Sequence, residues 1–69
     1  MNNNKYYKDL NNLVGKDVMI SIANGKFTVI SSGRLSKMSD ECYRISDGKS
    51  IIYFTLDSIT LINYDSIHI

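Results

Sequence analysis

Three cations in the middle of the chain have the side chains best suited to bind another molecule. The stretch SGRLSKMSDECYRI, residues 32 to 45, carries Arg34, Lys37 and Arg44 on either side of an acidic pair, Asp40 and Glu41. Guanidinium and ammonium groups donate charge-assisted hydrogen bonds to carboxylates and phosphates, and Arg and Tyr are enriched among binding hot spots. If this stretch is a bent hairpin, we expect a protein-binding surface made of Arg34, Lys37, Tyr43 and Arg44. The alternative is scattered surface charge that only keeps the chain soluble.

The chain has too few cysteine and histidine residues to build the common catalytic and metal-binding sites. The chain contains one cysteine, Cys42, and one histidine, His68. A Cys/His zinc cluster and an intrachain disulfide are therefore impossible, and a triad built on the penultimate residue is not expected. Asp40 and Glu41, adjacent in a predicted turn, are expected to be solvated. We predict no enzyme activity, no metal and no cofactor.

Length and charge limit the other function classes. The 69 residues predict a single domain with a net charge of only +1, far from the strongly basic balance of most nucleic-acid-binding domains. A chain this short has a marginal core, and without a disulfide we expect self-association to stabilise it. No apolar stretch approaches the length of a membrane-spanning helix, and the free thiol and the lack of an apolar leader predict a cytoplasmic protein.

Hydrophobic periodicity predicts one helix followed by five short strands. Tyr6, Leu10 and Leu13 recur at helical spacing and predict a helix over residues 4–13. From residue 17 the period becomes two, with turn signals at Asn24-Gly25, Ser39-Asp40 and Asp47-Gly48 and a bend at Gly33. The predicted fold is mainly β: an N-terminal α-helix and a small, strongly bent, five-stranded antiparallel barrel over residues 17–64, with a short C-terminal tail.

The last two predicted strands are uncharged on both faces. In SIIYFTL, residues 50–56, both parities are apolar, although a strand in water should show one polar face. Either the helix or a second subunit must cover the extra apolar face. An exposed edge of this kind favours pairing with another chain. The residues predicted to form an oligomer interface are Ile51, Tyr53, Ile59, Leu61 and Ile62.

The pattern resembles an Sm-like or SH3-like barrel over about residues 5 to 62. The resemblance lies in the Leu-Val-Gly-Lys segment before the first strand, the Asn-Gly turn, the Gly-x-Leu bend and the hydrophobic-Asp-Ser-Ile turn. It implies subunits in which the fourth strand pairs with the fifth strand of a neighbour. RNA-binding Sm proteins carry an Asn where this chain has Tyr43, and an Arg and a Gly in the late turn that are missing here. Asp57 alone matches, so the resemblance implies weak RNA binding.

A closer resemblance is to the Veg-type family of small regulatory proteins of spore-forming bacteria. The matching residues are the Gly-Lys pair before the first strand, the Ala-Asn-Gly turn, the Ser-Gly-x-Leu bend and two later positions: Ala23, Asn24, Gly25, Ser32, Gly33, Leu35, Tyr53 and Asp57. The segment at residues 26–28 departs from the family, which has an arginine-rich run there. The resemblance implies a regulatory interaction protein that is not an enzyme. Together with the short core and the uncharged strands, it leads us to expect a regulatory module that self-associates and binds a protein. Two alternatives stay open: an Sm-type ring that binds RNA or a nucleotide, and a phage-encoded inhibitor of a host defence or regulatory protein.

Overall fold

The computed structural model describes residues 4–63 and contains one helix and one five-stranded antiparallel sheet. In chain order the elements are α1 (Tyr7–Leu13), β1 (Asp17–Asn24), β2 (Phe27–Lys37), β3 (Cys42–Ser46), β4 (Ile51–Thr55), a 3-10 turn at Leu56–Ser58 and β5 (Ile59–Ile62). This confirms the mainly-β prediction with an N-terminal helix. The predicted tail, including His68, lies outside the described residues.

Helix α1 begins later than its hydrophobic pattern predicts. Asn4 forms a turn before it: Asn4 Oδ1 accepts a hydrogen bond from the Tyr6 backbone N–H at 2.9 Å. The Asn4 carbonyl accepts a second bond from Tyr7 N–H at 3.1 Å. Asn side chains favour such local bonds over helix, so residues 4–6 are a turn and not the first helical turn. Leu10 is the one buried residue of α1.

The first hairpin is set by Gly25. Asn24 and Phe27 are paired across β1 and β2, so the connecting residues are Gly25 and Lys26. Gly25 has φ +64°, and no residue other than glycine has a positive φ in the described chain. A glycine in the first loop position is the pattern of type II′ turns, whose twist suits a two-residue hairpin. The predicted Asn-Gly turn is therefore shifted by one residue, and Asn24 belongs to β1.

Strand β2 bends at Gly33, where it gains a second neighbour. It pairs with β1 from Phe27 to Arg34, and with β3 from Arg34 onward. Gly33 has φ +145°, and a Cβ there would lie 2.5 Å from the Ser46 carbonyl oxygen. Only glycine permits this close approach of two backbones. Residues 27–33 thus extend beyond β3.

Side chains on one face of the bent sheet form the core. Leu35 and Ile45 are paired inward residues from β2 and β3, and Tyr43 lies beside Phe54 with ring centroids 6.1 Å apart. The buried apolar residues come from α1, every strand and the 3-10 turn: Leu10, Val18, Ile20, Ile22, Leu35, Tyr43, Ile45, Phe54, Leu56, Ile59 and Ile62. Helix α1 covers one end of this inner face through Leu10.

The sheet is open, with β4 and β5 at its two edges. The strand order is β4-β3-β2-β1-β5, and β4 and β5 do not pair with each other within residues 4–63. The predicted closure into a barrel is therefore not part of the described sheet. Within the same residues, no helix is long and apolar enough to cross a membrane.

Candidate functional site

Arg34 and Arg44 lie together on the outer face of the sheet. Arg34 pairs with Ser46, and Arg44 pairs with Ser36 on the next rung of the same face. The guanidinium of Arg44 donates from Nη2 to Ser36 Oγ at 3.5 Å, while its buried Nε has no partner among the described residues. Arg34 is exposed. The two arginines therefore present their guanidinium groups on one surface.

Lys37 lies on the opposite face from the two arginines. It pairs with Tyr43, whose side chain points inward, because successive residues of a strand alternate between faces. Its Nζ lies 3.5 Å from Asp40 Oδ1 and 5.4 Å from the centre of the Tyr7 ring. Desolvation alone would lower the Lys37 pKa, but Tyr7, Tyr43 and Asp40 together hold the pKa above its ordinary value. The prediction that Lys37 shares a patch with Arg34 and Arg44 is wrong.

Tyr43 cannot be part of a binding surface in this fold. Its side chain is 0% exposed, and its Oη donates to Asn11 Oδ1 at 2.9 Å, which ties the sheet to helix α1. Burial raises the pKa of the phenol, against a lowering effect of Lys37. Tyr53 takes its place beside the arginines, because it pairs with Arg44 and is 60% exposed. The aromatic neighbour of the arginine pair is thus a residue predicted for the oligomer interface.

The predicted interface residues divide into an exposed and a buried set. Ile51, Tyr53 and Leu61 are each more than half exposed. Ile59 and Ile62 are 7% and 2% exposed and belong to the core. They face inward because β5 pairs with β1 and continues its inner face. Their side chains therefore cannot contact a second subunit in this fold, which corrects that part of the prediction.

The backbone of β4 has one free edge. Leu56 N–H donates to Glu41 O at 2.8 Å and continues the β3–β4 ladder. By alternation, Ile52 and Phe54 direct their backbone groups to β3, and Ile51, Tyr53 and Thr55 direct theirs outward. The backbone N–H and C=O groups of these three alternate residues are therefore available to pair with another strand.

The free edge of β5 is shorter and is in contact with the N-terminal segment. Asn63 N–H donates to Met19 O at 2.9 Å, so alternation turns the backbone groups of Ile62 away from β1. The register of the two strands shifts between Ser21 and Ile22, and Thr60 lies at this irregularity. The Thr60 carbonyl accepts a hydrogen bond from Tyr6 Oη at 3.0 Å. Asn4 Nδ2 reaches Asp57 Oδ1 at 3.3 Å in the preceding turn. The N-terminal segment therefore holds the start of β5 in place.

The sequence pattern did not reveal a half-open cleft on the inner face. It has a volume of about 390 Å³ and lies between the outer half of the first hairpin and β4. Ser31 lines it, is 4% exposed, and its Oγ has no hydrogen-bond partner among the described residues. A lone serine on the apolar parity of β2 is the only sequence signal for it.

The described part of the chain contains no cluster of side chains suited to bind a metal ion. No group of three or more His, Cys, Asp or Glu side chains within residues 4–63 could hold a metal ion.

Comparison with known proteins gives no further assignment. No family model, no curated protein and no solved structure matches this chain. The resemblances to Sm-like and Veg-type proteins therefore stay predictions.

Proposed function

We propose that this chain is a non-enzymatic regulatory interaction module with an Sm-like or SH3-like architecture. It self-associates through β4 and β5 and binds a protein partner with the outer-face surface of Arg34, Arg44 and Tyr53. Its single cysteine suits a reducing, cytoplasmic setting.

The strand order is the observation that supports self-association best. Both ends of the sheet are edge strands with apolar side chains in solvent: Ile51 is 54% exposed on β4, and Leu61 is 57% exposed on β5. An unpaired edge of this kind is a template for another strand. Pairing β4 of one copy with β5 of the next would cover both edges. It would displace the Tyr6 hydroxyl from Thr60, a small cost beside several new backbone bonds.

The self-association proposal is tested by measuring mass as a function of concentration. Light scattering or native mass spectrometry should show at least a dimer at micromolar concentration. Ile51→Lys and Leu61→Lys should shift the protein toward monomer, because each places an ammonium group where an edge becomes desolvated. Both residues are exposed, so the variants should stay folded. Ile62→Lys is unsuitable, because a charge in the core would unfold the chain.

A matched control separates edge pairing from a general loss of surface apolarity. Met38 is 46% exposed and lies between β2 and β3, away from both edges. Met38→Lys should leave the mass unchanged. A wild-type protein that stays at 7.8 kDa at every concentration would contradict the proposal.

The composition of the surface of Arg34, Arg44 and Tyr53 supports its proposed role in binding a protein partner. Two guanidinium groups, flanking serine hydroxyls and an exposed tyrosine combine directional donors with an apolar ring, as hot spots commonly do. Reversing Arg34 and Arg44 to Glu should weaken partner capture at least about tenfold, or roughly 1.4 kcal/mol. The matched control reverses Lys26 and Lys49, two exposed residues of the hairpin turns, for the same change in net charge. Undiminished capture by the folded arginine variant would remove this surface from the proposal.

A further inference from the structure

The inner face of the sheet is covered at one end and open at the other. Helix α1 covers the first end through Leu10, which is 0% exposed. At the other end the cleft of about 390 Å³ opens between the first hairpin and β4. Its walls are Ile22, Val29, Ile52 and Phe54. A volume of this size is within the range of small-molecule sites, which are mostly apolar with a few polar groups.

A buried hydroxyl in this cleft lacks a partner. Ser31 is 4% exposed, and its Oγ makes no hydrogen bond within residues 4–63. An unpaired buried polar group is costly, and native proteins leave few of them. Serine has three staggered χ1 rotamers, so a change of rotamer can turn the hydroxyl toward a group seated in the cleft. A hydroxyl or carbonyl group seated in the cleft would supply the missing partner.

The lining also defines the charge of the occupant. None of its nine lining residues is acidic or basic, and Asn24 and Ser58 supply further uncharged polar groups. A carboxylate, phosphate or ammonium group placed there would lose its hydration without gaining an opposite charge. Nucleotides and other anions are thus poorly suited to this cleft, whereas a neutral molecule is well suited.

We propose that the cleft binds a neutral, mostly apolar small molecule that carries one hydrogen-bonding group, and that this group pairs with the Ser31 hydroxyl. The walls remove the apolar body of the ligand from water, and the serine selects molecules with a hydroxyl or carbonyl over their hydrocarbon analogues. The site lies on the inner face of the sheet, away from Arg34 and Arg44, but Tyr53 of β4 borders both this cleft and the proposed protein-binding surface.

The test compares phenol with toluene, which have nearly the same shape and differ in one hydroxyl. Each is titrated into the isotope-labelled full chain, and amide shifts are followed by NMR. We expect saturable shifts centred on Val29, Ser31 and Ile52, with phenol binding more tightly than toluene. Ser31→Ala should weaken phenol binding at least about fivefold, the range of one net hydrogen bond, and leave toluene binding within about twofold.

Ser32→Ala is the matched control, because Ser32 is the exposed neighbour on the opposite face of β2. It should change neither affinity. Ser31→Ala removes only an unpartnered hydroxyl, so we expect it to fold, and its amide spectrum verifies this. Phenol binding that is equal in wild type and Ser31→Ala would overturn the proposal. Shifts that do not saturate, or that lie outside the cleft, would do the same.

Discussion

At the residue scale, the Tyr43 hydroxyl is the clearest link between helix and sheet. The ring lies in the core against Phe54, and its Oη donates to Asn11 on α1. Strand alternation alone places Tyr43 with the inward residues Leu35 and Ile45, so the prediction that Tyr43 belongs to a binding surface conflicts with the pattern of its own strand. The hydrogen bond of Tyr43 could not be predicted, because it depends on where the helix packs.

Tyr43→Phe should lower the free energy of unfolding by about 1 kcal/mol, since it deletes one partly buried hydrogen bond and leaves the ring in place. Chemical denaturation measures this. Tyr53→Phe is the matched control, because Tyr53 is exposed and should change stability by less than about 0.5 kcal/mol. Equal stability of both variants would show that the Tyr43 bond to Asn11 contributes nothing.

Asp47 gives stability a pH dependence on the acid side. The backbone N–H groups of Ser50 and Lys49 each donate to Asp47 Oδ1 at 2.8 Å and lower the pKa of its carboxyl group. A carboxyl pKa that is lower in the folded than in the unfolded state adds stability above the unfolded pKa. That contribution is lost as pH falls through the folded pKa.

Thermal melts from neutral to acid pH should therefore show a steeper loss of melting temperature for the wild type than for Asp47→Asn. The amide still accepts hydrogen bonds but does not titrate. Identical slopes for wild type and Asp47→Asn would contradict the role of the carboxylate.

At the element scale, the bend of β2 decides how the sheet curves. Sequence predicted the bend at Gly33 because a glycine interrupts an otherwise regular strand. The structure adds the reason, which is the backbone of Ser46 lying where a Cβ would be. The split of Arg34 and Lys37 between two faces also follows from alternation. The cleft beside Ser31 does not, since it depends on the three-dimensional curvature of the sheet.

Gly33→Ala should be strongly destabilising, by about 3 kcal/mol or more, because it combines a backbone clash with a strained φ. Gly48→Ala is the matched control: Gly48 has φ +90°, but no atom lies within 4 Å of the position of its Cβ. It should cost about 1 kcal/mol, from backbone strain alone. Denaturation midpoints of the two variants measure the difference. Similar losses would mean that the Ser46 backbone moves away at little cost.

At the scale of the whole molecule, the strands could be predicted from sequence, but the open form of the sheet could not. The number of strands, and the antiparallel pairing of strands joined by tight turns, follow from periodicity and turn residues, whereas the pairing of β1 with β5 does not. Closure of the sheet into a barrel does not follow from the sequence pattern. In the structure, β4 and β5 are separated by a three-residue 3-10 turn and each keeps a free edge. The sequence-level observation that β4 is apolar on both faces matches the exposed Ile51 and Tyr53 and the buried Phe54. The residues that would contact a partner could only be separated from the core once the fold was known.

The balance of charge over the molecule also predicts weak RNA binding. The net charge is +1, Lys37 is paired with Asp40, and the outer face offers two arginines. A surface that neutralises two or three phosphates of a single strand gives a salt slope of only about −1.4 to −2.1. Fluorescence anisotropy with a labelled single-stranded RNA should therefore show no submicromolar binding at physiological salt, and Arg34→Glu with Arg44→Glu should remove most of what is seen. The double reversal of Lys26 and Lys49 is the control for net charge. Submicromolar, sequence-selective binding by the wild type would contradict this prediction and favour an RNA-binding ring over a protein-binding module.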